Sequence, residues 1–111
     1  MRVIKLRKTV GVDATNFYMD VGMVQIILNE ILNENLTVDG VFGIKTQELL
    51  LEFQKNNGIY NEKIVSNQSS TFKKMVESLP LWVFIPTHYS HGPLRVDIGQ
   101  LTFDSEEMIF I

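Results

Sequence analysis

The residues best equipped for chemistry lie in the C-terminal third. Thr87-His88-Tyr89-Ser90-His91-Gly92-Pro93 sets two imidazoles three positions apart, and Asp97 follows. Two histidines and a carboxylate are ligand types that begin a tetrahedral zinc site. Catalysis at zinc also requires a complete ligand set and a general base. No histidine follows in the fourteen residues after Asp97, and no such set can be assembled. Glycoside hydrolysis needs two positioned carboxylates, yet Glu106-Glu107 reads as a solvated turn. Cysteine is absent, no serine or threonine sits in a nucleophile elbow, and Gly40-x-x-Gly43 lacks the lysine and length of a phosphate-binding loop. The reading is a binding protein, not an enzyme, with neither metal nor cofactor. Trp82, His88, Tyr89 and His91 remain as a candidate contact surface, because aromatics stack on sugar faces and anchor interfaces. The plainer alternative is a partly exposed loop beside a small β core.

Composition narrows the partners. A chain of 111 residues makes one domain with at most a small appendage. An apolar share of 45% suits a packed core, and a net charge of −3 lacks the basic surplus needed to neutralise nucleic-acid phosphates. The longest apolar runs are only a few residues, such as Leu49-Leu50-Leu51 and Trp82-Val83-Phe84-Ile85, far too short to span a bilayer. Met1 to Val10 alternates basic and apolar residues and lacks a signal peptide's apolar core. The expectation is synthesis in the cytoplasm with non-standard delivery, unless a leader has already been removed.

The elements that must position a site follow from periodicity. Arg2 to Arg7 roughly alternates and predicts a short strand, and Val10 to Met19 reads as a loop. A helix is expected from Asp20, whose carboxylate would cap the first-turn amides. Its apolar stripe is Val21, Val24, Ile27, Leu28, Ile31 and Leu32, with Gln25, Asn29 and Glu30 facing away. Asp39-Gly40 is a turn signal and Gly43 an N-cap, so a second helix starts at Ile44, with Thr46 within reach of the cap. Leu49, Leu50 and Phe53 form its buried face, and Asn56-Asn57-Gly58 closes it. A third helix runs from Ser70 or Thr71 to Ser78 with Phe72, Met75, Val76 and Leu79 inward, and Pro80 stops it. Leu81 to Ile85, Leu94 to Phe103 and Met108 to Ile111 read as β segments, one of which could pair with the N-terminal strand.

The middle of the chain resembles the peptidoglycan-binding-like domain family. The resemblance rests on Asp20-Val21, Val24-Gln25, Leu28-Asn29, Val38-Asp39-Gly40-Val41-Phe42-Gly43, Thr46, Phe53-Gln54 and Gly58-Ile59, in family order and spacing. The family repeats a glycine turn before its third helix. Here Asn61 to Thr71 keeps an apolar pair and the threonine but has neither glycine. The resemblance implies a mainly α, three-helix module over residues 20–79, flanked by an N-terminal strand and loop (1–19) and a β-rich extension (80–111). It also implies a shallow groove for wall stem peptide or glycan, with candidate positions Asp39, Gly40, Val41, Phe42, Gly43, Thr46 and Gln54. An architectural reading stands beside it: Asp39 and Gly40 make a turn, Phe42 and Phe53 fill the core, and Thr46 caps a helix.

Zinc peptidases that often accompany this module carry Ser-x-His-x-x-Gly-x-Ala-x-Asp. Ser90-His91-Gly92 departs from that spacing, and Asp97 falls one residue short. The leading expectation is therefore a non-catalytic anchor or adaptor in the bacterial envelope. The alternative is a protein-interaction adaptor of a phage tail or contractile secretion system, holding a hydrolase, effector or tail spike after losing wall binding.

Overall fold

The computed structural model describes residues 4–80 and, as backbone, 82–85, 94–97 and 103–104. In chain order the elements are β1 (Ile4–Lys5), β2 (Val10–Gly11), α1 (Tyr18–Leu32), α2 (Ile44–Asn56), β3 (Ile64–Val65), α3 (Ser70–Glu77), β4 (Trp82–Ile85), β5 (Leu94–Asp97) and β6 (Phe103–Asp104). The fold is mainly α. Three helices carry the core, and α1 packs against both others.

α1 is surrounded, and its composition explains why. Met19, Val21, Met23, Val24, Ile27 and Leu28 are all buried, more than one stripe of a helix can hold. A helix apolar on most sides is a central helix. α2 adds Leu49, Leu50 and Phe53, and α3 adds Phe72, Met75 and Val76, with Leu79 just beyond. Ile4, Leu6, Val10 and Val65 join the same apolar cluster.

Three expectations are corrected. α1 begins at Tyr18, not Asp20, and Phe17 at its N-cap makes no side-chain cap. Asp20 is fully buried and turns back toward the chain before the helix, accepting from the N–H groups of Arg7 (2.8 Å) and Lys8 (2.7 Å). The chain just after β1 needs acceptors for those amides, and a carboxylate makes the strongest ones. Gln25 and Asn29 do not face away; both turn inward to hold loops, as described below. Finally, Val10 to Met19 is not all loop, because Val10 pairs with Val65 and Gly11 with Ile64 in an antiparallel ribbon.

The helix ends follow local chemistry. Asn33 takes the left-handed conformation after α1, and the Glu34 N–H reaches the Asn29 carbonyl. Gly43 is the N-cap of α2. At its far end Gly58 has φ +65°, the Gly58 N–H bonds the Lys55 carbonyl and the Ile59 N–H bonds the Gln54 carbonyl. That is the paired closure of a Schellman motif. Ser69 caps α3 by accepting from the Phe72 N–H.

Among the described residues, the β segments form three separate pairs, not one sheet. β1 lies parallel to β6, with Ile4 opposite Phe103, so segments near both ends of the chain meet. β4 and β5 form an antiparallel hairpin, Trp82 opposite Asp97. The expected strand at Met108 to Ile111 lies outside the described residues.

Gly11 has φ +144°, and a Cβ there would stand 2.0 Å from the Lys63 carbonyl oxygen. Gly11→Ala should therefore lower stability by about 2–3 kcal/mol through backbone strain and a forced shift of β3. Urea denaturation of the two proteins checks this; an unchanged midpoint would mean that the ribbon does not constrain Gly11.

Candidate binding clefts around the second helix

A single side chain organises the loop before α2. The Gln25 carboxamide is buried on α1. Its Oε1 accepts from the N–H groups of Asp39 (3.1 Å) and Gly40 (3.0 Å). Its Nε2 lies 3.0 Å from Asp39 Oδ1, the Val41 carbonyl and Thr46 Oγ1. One amide group thus ties α1 to the turn and to the first turn of α2. Asn29, one helical turn further along α1, exchanges two hydrogen bonds with the backbone of Leu36, at 2.7 and 2.8 Å. The path from α1 to α2 is held at two points.

The second loop repeats the device. Gln54 on α2 donates to the Glu62 carbonyl (2.8 Å) and to Thr71 Oγ1 (3.0 Å) at the start of α3. A glutamine on one helix and a threonine at the start of the next are joined in both halves. The loop between α2 and α3, which has no glycine from Asn61 to Thr71, has its own closure: the Glu62 carboxylate accepts from the N–H groups of Ser70 (3.2 Å) and Thr71 (2.6 Å). It therefore fills the N-terminus of α3. Burial pushes the Glu62 pKa up, but hydrogen bonds from the Thr71 hydroxyl and from the Thr71 and Ser70 amides outweigh it, and the pKa lies below the ordinary glutamate value. The Asp39 pKa is also lowered, chiefly by the Val41 N–H and then by the Gln25 amide.

Among the described residues, several openings lie around these clamps. One of about 580 Å³ is lined by Gln25, Glu34, Leu36, Asp39, Val41, Gly43 and Thr46, with Ile44 and Lys45 also on its wall. A second of about 240 Å³ includes Phe42 and Gln54, and a third of about 390 Å³ includes Gln54 and Tyr60.

The seven groove candidates are thus not one surface. Asp39, Val41, Gly43 and Thr46 line the large cleft, whereas Phe42 and Gln54 lie on the others. Gly40 lines none of the three. Its φ is +74°, and a Cβ would stand 2.8 Å from the Tyr18 carbonyl oxygen, so it serves the turn's close approach to α1. Phe42 is half-buried against the core. Trp82 lies on β4; His88, Tyr89 and His91 lie outside the described residues. Among the described residues, no group of three or more metal-ligating side chains comes together, and no helix is long and apolar enough to cross a membrane. The signal that could have located Gln25 was its three-dimensional partner set, invisible to a periodicity that assigns a polar residue outward.

Comparison of the chain with family models, curated proteins and solved structures finds no match.

Glu62→Gln should destabilise the protein by about 1–2 kcal/mol near neutral pH, as for loss of a charged helix cap. Because the folded pKa is depressed, the wild-type advantage is present above the ordinary glutamate pKa of about 4.3 and lost as pH falls through the folded value. Urea melts across that range should show the two proteins converging toward acid. A gap that persists unchanged at low pH would exclude the carboxylate charge as its source.

Proposed function

We propose that this chain is a non-catalytic module of the peptidoglycan-binding type and that its large cleft takes a carboxylate-bearing stem peptide of the bacterial cell wall. The observation that carries this reading is the meeting of Asp39, Val41, Gly43 and Thr46 with the N-terminus of α2 in one cleft. Gly43 offers no capping side chain, and the first turn of α2 holds no acid. The positive end of the helix dipole therefore has no acid of its own, and the acids on the cleft wall are Glu34 and Asp39, the latter already accepting from the Gln25 amide and the Val41 N–H. Lys45 adds a cation on the wall. The second half of the module supplies a parallel within the same chain, since the Glu62 carboxylate occupies the corresponding helix start.

The cleft also has an apolar rim. Val41 and Ile44 are 62% and 77% exposed, so neither is spent on the core. A stem peptide offers methyl groups for such a rim and carboxylates for the helix end. A chain built around this module would serve as an anchor or adaptor in the envelope, holding a hydrolase, effector or tail spike near its substrate.

Pelleting with insoluble sacculi tests this. The wild type should sediment saturably, and Val41→Asp and Lys45→Glu, both at exposed positions, should each weaken binding by about tenfold while leaving the fold intact. A soluble stem peptide with amidated carboxylates should compete less well than the free acid. Failure to sediment with sacculi of several wall chemotypes would reject wall binding and favour the protein adaptor of a tail or secretion apparatus.

A further inference from the structure

The two smaller openings share Leu51, Gln54 and Lys63, which makes them successive parts of one groove along α2. On one side of Leu51 the walls are Val12, Phe42 and Leu50; on the other they are Ile59, Tyr60 and Lys55. Leu51 is 55% exposed and Tyr60 71% exposed, and Val12 beyond them is also exposed. These side chains gather in one region, unlike single apolar residues scattered over a surface.

The charge here opposes that of the chain. The protein carries −3 overall, yet the groove is bordered by two lysines, Lys55 and Lys63, and the one acid on its walls is Glu62. That carboxylate accepts from the Ser70 and Thr71 amides at the start of α3, which turns it toward the helix end, and the two lysines outnumber it. The groove therefore presents an apolar floor with a positive border. Charge complementarity selects an acidic occupant, and the floor selects apolar or aromatic side chains.

We infer that the Leu51–Tyr60 groove is a docking site for a partner protein, which inserts a short segment of aromatic or aliphatic residues flanked by aspartate or glutamate. This inference does not rest on wall binding, because the two sites share no lining residue. Together they would make the chain a two-sided adaptor.

The test uses the full chain and a fluorescein-labelled synthetic peptide whose phenylalanine-leucine core is flanked by glutamates. A second peptide keeps the core and replaces the glutamates by lysines, and a third keeps the glutamates and replaces the core by serines. Fluorescence anisotropy should show saturable binding of the first peptide and at least about tenfold weaker binding of the other two. The double variant K55E/K63E, at exposed positions, should reverse the preference between the glutamate and lysine peptides. Leu51→Asp should abolish binding of both, with circular dichroism verifying that each variant stays folded. No saturable binding of the first peptide would overturn the proposal. So would equal binding of the acidic and basic peptides, or an unchanged preference in K55E/K63E. Concentration-dependent dimerisation that Leu51→Asp removes, with no peptide binding, would assign the groove to a second copy instead.

Discussion

Everything that distinguishes the large cleft depends on one buried carboxamide. Gln25 stands on the most enclosed helix and meets five groups of the loop before α2 and of the α2 start. Its amide has two hydrogens and three acceptors in reach, so one hydrogen is shared between two of them. A buried amide left half-satisfied would cost more than an apolar residue of the same shape. The loop consequently has one low-energy path, in which Asp39 and Gly40 turn their N–H groups toward Gln25 and Thr46 brings the start of α2 beneath them. Gly40 is required on that path because its backbone passes against Tyr18.

The same economy recurs through the molecule. Where the backbone lacks a ladder partner, a side-chain amide stands in for one. Asn67 bonds both the N–H (2.7 Å) and the carbonyl (2.8 Å) of Leu6, as a neighbouring strand would. Asn16 does so for Gly11, both at 2.9 Å, and Asn29 does so for Leu36. A module with such short strands has little sheet to satisfy its backbone, and these amides supply the missing bonds. They also cover backbone edges that would otherwise be open to pairing with another chain.

This pattern sets the limit of what the sequence alone discloses. The helical faces of α2 and α3 are legible because each is amphipathic with one buried side. The start of α2 and the ends of both are legible from Gly43, Asn57-Gly58 and Pro80, whereas the Ser69 cap of α3 is not. Glu62→Gln probes a feature that was not legible, since nothing local marks that acid as the cap of a helix eight residues on. Asp20 looked like a cap because it precedes an apolar run, but the amides that require it belong to Arg7 and Lys8. Periodicity sorts polar residues outward and so sends Gln25 and Asn29 to solvent, whereas a central helix has almost no outward side. In the motif from Asp39 to Thr46 the turn at Asp39-Gly40 and the N-cap at Gly43 are as the sequence predicts. Thr46, however, does not cap α2, because its hydroxyl accepts from Gln25 and the Gly43 N–H bonds the Val41 carbonyl. The motif's division between cleft, turn and core could not be read without the path of α1.

The central claim is that Gln25 fixes the loop and hence the cleft. Amide hydrogen exchange on the wild type and on Gln25→Met, a swap of similar volume without the amide, tests it most directly. The account requires the buried Gly40 N–H and the Asp39 N–H to exchange slowly in the wild type and to lose that protection in the variant, while amides within α2 and α3 remain protected. Unchanged protection at Gly40 in a folded Gln25→Met protein would contradict it, because the loop would then hold its path without the side chain said to impose it.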